Sequence, residues 1–156
     1  GYVGKSTGMA RGLSNRGWGT YQASVEGTLR PGDVVSMNGH VWISLGTCAD
    51  GSVLIAHSYP TKDANDLPGG GVQLSAIGPS FSCEAYRLAD AYMATNCTDW
   101  HALYKTVCFL PEAYLTEAAV GVFSWDATGA NGGLTDPDGI RGMTPKEVLA
   151  LIQTKP

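Results

Sequence analysis

Charge is scarce in this sequence. Only 15% of its residues are Asp, Glu, Lys or Arg, and the net charge is -4. With a pI of about 5.2, it offers no basic surface for a phosphate backbone or an anionic lipid headgroup. No nucleic-acid partner is expected. Long apolar runs are also missing, so no membrane span is expected. Cysteine is limited to four residues, Cys48, Cys83, Cys97 and Cys108, too few for a disulfide scaffold. No pair has the C-x-x-C spacing of a zinc or redox site, and one or two disulfides stay open. The chain opens "GYVGKSTGMA", with neither an initiator Met nor a signal peptide. A mature product, or a piece cut from a longer chain, would begin that way.

Two apparent ligand motifs are weak. "PGGGV" (68–72) follows no strand–helix phosphate context. "TDPDG" (135–139) holds Asp136 and Asp138 but lacks the spacing and closing Glu of a calcium loop, so it reads as a turn. Neither a cofactor nor a metal is expected. The tryptophans at 18, 42, 100 and 125 are not interleaved with basic residues, and read as core or as a substrate shelf.

What is present is enough for a core. The 156 residues are 44% hydrophobic, and 21 glycines lie mostly between apolar runs, which suggests tight turns and short strands. Strand patterns occupy 33–37, 40–45, 52–57, 72–77 and 82–88. Asn38-Gly39 and Asp50-Gly51 are hairpin signals, so an antiparallel, meandering sheet of about five strands is expected. Residues 18–33 read as loop, and 59–71 as a polar, glycine-rich insertion at the surface. A short helix is expected after Ser6 and Thr7, and another over 99–107. Thr144, Pro145 and Glu147 form a capping box for the last helix. The expected fold class is α+β, with 1–88 as the sheet-bearing core and 89–156 as a helical, turn-rich extension on the same domain.

Three histidines carry the chemical interest. His40 opens a strand of Val41, Ile43 and Leu45, and His57 closes the next strand pattern. A hairpin between them sets the two rings roughly opposite, about 5 Å apart. One imidazole can then fix the orientation and tautomer of the other, as the third member of a catalytic triad does. Two ordinary histidines on a wet rim would show the same spacing. His101 has no partner in sequence and reads as a surface or packing residue.

"LRPGDVV...GHVWISLG......VLIAHS" resembles the central part of NlpC/p60 cell-wall cysteine peptidases, bacterial enzymes with a papain-like core. The match runs over residues 29–58 through Pro31-Gly32-Asp33, His40-Val41-Trp42-Ile43, Gly46 and His57-Ser58. The tail resembles the carboxy-terminal extension of a clostridial-type subset. The resemblance implies a secreted or cell-wall-associated hydrolase that cuts peptidoglycan stem peptides beside a D-glutamyl residue. It makes His40 the general base toward a cysteine thiol and His57 its orienting partner. Trp42 stands where the family has a small residue, so the strand's other face must hold an indole. "GTCADGS" lengthens the turn between the histidines.

The family's nucleophile sits in a "DCSG"-like stretch at a helix start upstream of the His strand. This chain has no cysteine before Cys48. The chain alone is then expected to be inactive, its partner being an upstream segment of its own parent. An alternative is a permuted thiol hydrolase using Cys97, just before a helix. A non-catalytic module that binds wall peptides or a partner is the third reading.

Overall fold

The computed structural model describes residues 5–62, 68–104, 108–116, 121–130 and 134–154. A single α+β sheet of seven strands organises them, in the order β1-β7-β2-β3-β4-β5-β6. The strands are β1 (Gly19–Gln22), β2 (Val34–Met37), β3 (His40–Thr47), β4 (Val53–Lys62), β5 (Pro68–Ile77), β6 (Cys108–Leu110) and β7 (Gly121–Trp125). Six of them pair antiparallel, and β6 lies parallel to β5 at the edge. The antiparallel character matches the expectation, but the simple meander does not. β7 enters from far along the chain and separates β1 from β2.

Turn chemistry builds the centre of the sheet. Gly39 takes φ +75° between β2 and β3, and Gly51 takes φ +84° between β3 and β4, a region that costs glycine little. A bulge between Ser44 and Gly46 absorbs one residue of β3. Residues 59–71 are not a free insertion, because β4 and β5 continue through Lys62 and from Pro68. Residues 63–67 lie outside the described residues.

The helices are α1 (Met9–Ser14), α2 (Glu84–Asn96), α3 (Thr98–Tyr104), α4 (Ala113–Thr116) and α5 (Pro145–Thr154). A 3-10 turn, Ser6–Gly8, leads into α1. The strand expected over 82–88 is instead the start of α2. Ala85, Ala89 and Met93 recur at helical spacing and are buried against Leu54 and Ala76. Two side chains from the β3–β4 turn cap this helix. Asp50 Oδ2 accepts the Glu84 N–H at 2.6 Å, and Ser52 Oγ accepts the Ala85 N–H at 3.0 Å. The 99–107 helix appears as α3, while 105–107 lie outside the described residues. The capping box of α5 forms as expected: Glu147 Oε2 accepts the Thr144 N–H at 2.8 Å, and Thr144 Oγ1 accepts the Glu147 N–H at 3.4 Å.

The sheet has two unlike faces. One carries Val34, Phe123, Leu54 and Ala76, covered by α1 near β2 and β7 and by α2 and α5 near β3 to β5. On this helical face Ile43 and Val72 remain 46% and 77% exposed. The other face buries Val35, Met37, Trp42, Ile55, Ile77 and Val122, with Val25, Tyr114 and Leu115 packed over them. Strand alternation places His40, Trp42, His57 and Tyr59 on this second face. The indole expected on the strand's other face therefore shares the histidines' side, since Trp42 lies two residues from His40.

Trp42 is 1% exposed, and its Nε1–H meets no acceptor among the described residues. Such a donor costs about 1–3 kcal/mol. Trp42→Phe removes the donor and part of the ring together. Its stability in urea should stay within about 1 kcal/mol of the parent, against about 3–5 kcal/mol for emptying such a site. A loss above about 3 kcal/mol would show that the packing of the full indole outweighs the cost of its orphaned donor.

Candidate functional site

The two histidines meet, although not as directly opposed residues. The register pairs Trp42 with His57, so His40 reaches His57 along the diagonal of the ladder. His40 Nε2 and His57 Nδ1 are 2.9 Å apart, and the rings stand nearly perpendicular with centroids at 5.1 Å. The lengthened turn leaves this pairing intact. Tyr59 adds a third ring, with centroids 5.3 Å from His57 and 6.2 Å from His40. His57 is buried, His40 half-buried. On its far side, His57 Nε2 lies 2.8 Å from Ser75 Oγ, itself buried on β5.

This site is built to keep both rings neutral. Burial first, and the neighbouring His40 second, together push the His57 pKa down to about 4. Burial also lowers His40. The sign for stability follows. Below its usual 6.5 the unfolded chain binds a proton on His57 that the folded chain refuses until about 4. Stability is fully present above pH 6.5 and falls as the pH drops through that window, by on the order of 3 kcal/mol. Asp50, held below the usual carboxylate range by the Ser52 hydroxyl, titrates beneath it. Urea unfolding at about pH 7.5 and about pH 4.5 checks this. His57→Gln should flatten the slope; equal slopes for both chains would remove His57 as its source.

The other candidates separate clearly. Cys97 closes α2, and its carbonyl accepts the His101 N–H at 2.8 Å to open α3. Its side chain packs with the helical-face cluster, opposite the face that carries His40. Cys83 is not inside a strand but precedes α2, buried. Burial pushes the Cys48 thiol up to about 12, so it stays protonated. Asp50 and Glu84 lie close to that thiol, yet both carboxylates accept backbone N–H groups, from Glu84 and Ala49 respectively. Cys48, Cys83 and Cys97 are free thiols. The Cys108 side chain lies outside the described part.

His101 binds Asp90 Oδ1 at 2.9 Å between α3 and α2, a packing role as expected. Asp136 is a turn acid as expected, accepting the N–H groups of Ile140 and Arg141. Asp33 is more than a turn acid. It is 3% exposed and meets Arg141 Nη2 at 3.0 Å. Ser75 and Gln73 were missed in sequence. Their signal was available: two polar residues alternating with Leu74 and Ala76, which puts both on a buried sheet face.

Among the described residues, no helix is long and apolar enough to cross a membrane. Comparison with protein-family models, with curated proteins and with solved structures returns no match.

Proposed function

We propose that this chain carries the acid–base half of a cell-wall cysteine peptidase. His40 is the general base, and His57 orients it. The observation that carries the reading is the 2.9 Å contact between His40 Nε2 and His57 Nδ1, which leaves His40 Nδ1 for a reacting group. A base must be neutral at working pH, and the lowered pKa of His40 supports that.

The chemistry would run as in thiol hydrolases generally. His40 takes the thiol proton, the thiolate attacks an amide carbonyl, and the leaving amine departs with that proton. Water then releases the acyl group. The papain-like fold, the stem-peptide substrate and the secreted or wall-associated location rest on the resemblance of residues 29–58. Following the resemblance, the thiol is proposed to come from outside residues 1–156; among the described side chains, Cys48 is protonated and buried, Cys83 is buried and Cys97 packs on the opposite face. The uncovered Ile43 and Val72 agree with a helical layer completed from elsewhere.

The test uses the product of the complete reading frame, incubated under reducing conditions with purified muropeptides and followed by mass spectrometry. Cleavage next to the D-glutamyl residue, abolished by iodoacetamide, is the expected result. Binding without turnover would overturn the hydrolase reading in favour of a wall-binding module. Turnover insensitive to alkylation would overturn the thiol.

A further inference from the structure

The histidine pair does not end at His57. Ser75 Oγ lies 2.8 Å from His57 Nε2 and receives the Gln73 Nε2–H at 3.3 Å. Gln73 Oε1 in turn accepts the Trp100 Nε1–H at 3.4 Å. Gln73 and Ser75 are 2% and 0% exposed, so their hydrogen bonds must be made within the protein. Gly71 makes room for Trp100: a Cβ there would stand 2.9 Å from the indole Cη2.

Chemistry assigns a direction to this chain. An indole N–H can only donate, so the carbonyl end of Gln73 faces Trp100 and its NH2 faces Ser75. Ser75 Oγ is thereby an acceptor. Among the described residues its remaining partner is His57 Nε2, the one group able to accept its hydroxyl proton. His57 Nε2 then carries no proton, and His57 Nδ1–H donates to His40 Nε2.

We propose that Ser75, Gln73 and Trp100 are positioning residues that set the tautomers of the histidine pair. Both resting rings hold their proton on Nδ1, with every hydrogen bond pointing from Trp100 toward His40. The inference deepens the proposed acid–base role of these histidines and rests on it for its consequence. To accept a proton at Nδ1, His40 must first hold its own on Nε2. That reverses both histidine bonds and turns the Ser75 hydroxyl away from His57. Gln73 holds the chain against this reversal. A carboxylate at position 73 would favour it: it accepts from Trp100 as before, but it also accepts from Ser75, which frees Ser75 Oγ to receive a proton from His57 Nε2.

The readout is the ring-nitrogen protonation of this chain in long-range 1H–15N spectra at about pH 8, which needs no turnover. The parent is expected to show Nδ1–H on both His40 and His57. Gln73→Glu should move both protons to Nε2. Trp100→Phe, which removes this donor to the Gln73 carbonyl, should lower the share of Nδ1–H on both rings. Nε2–H on His57 in the parent overturns the proposal even if neither variant folds. A folded Gln73→Glu chain with unchanged tautomers overturns it as well. Failure of muropeptide cleavage both by the parent and by a folded Gln73→Glu chain whose protons have moved to Nε2 would remove the peptidase reading alone.

Discussion

On the proposed peptidase reading, His40→Ala in the product of the complete reading frame is expected to slow stem-peptide cleavage about 10²- to 10⁴-fold, the range that a positioned general base contributes. The loss should fall on turnover and leave the fold intact. His40 stands at the first position of β3, half-buried, and its ring contacts are with His57 and Tyr59 at the site itself. Removing His57 should cost less. The base would remain but lose the partner at 2.9 Å that fixes its ring. The measurement is muropeptide turnover by the product of the complete reading frame, compared for the two single variants and the double variant. Because the residues act as a unit, the double variant should be hardly slower than His40→Ala. Independent, multiplying losses would argue against a shared proton path.

Arg141→Ala is expected to destabilise the fold by about 3–5 kcal/mol, the cost of leaving a buried charge without its partner. The Asp33 carboxylate is 3% exposed and is held by Arg141 Nη2 at 3.0 Å and by the Arg30 N–H at 2.8 Å. Arg141 also donates to the Pro31 carbonyl at 3.3 Å, so one guanidinium ties the carboxy-terminal region to the turn that launches β2. Asp33→Asn in the same chain should recover part of the loss, since the orphaned carboxylate is then neutral. Urea unfolding of the four chains closes the cycle. A loss below about 1 kcal/mol for Arg141→Ala would place the pair with ordinary surface salt bridges.

Local chemistry made much of this molecule legible. Asn38-Gly39, Asp50-Gly51 and the Thr144–Glu147 box carry their instructions within a few residues, and the two hairpins and α5 follow from them. β1 carries none. Gly19–Gln22 becomes a strand because β7 arrives beside it, and nothing near residue 20 announces that. α2 was misread because its cap is borrowed from Asp50 and Ser52, which a reading of 82–88 does not see. The site divides in the same way. The histidine pair follows from one hairpin, although the bulge and the diagonal contact do not. The Ser75–Gln73–Trp100 extension needs β5 and α3 brought together, which only the folded chain does.

The place of β7 has a consequence for synthesis on the ribosome. Among the described residues, β2 makes its second ladder, and β1 its only one, with residues 121–125. Until that stretch emerges, the earlier strands present open edges to whatever else is nearby, a hazard for self-association. A chain ending before residue 121 should therefore self-associate more readily than one that carries residues 121–125.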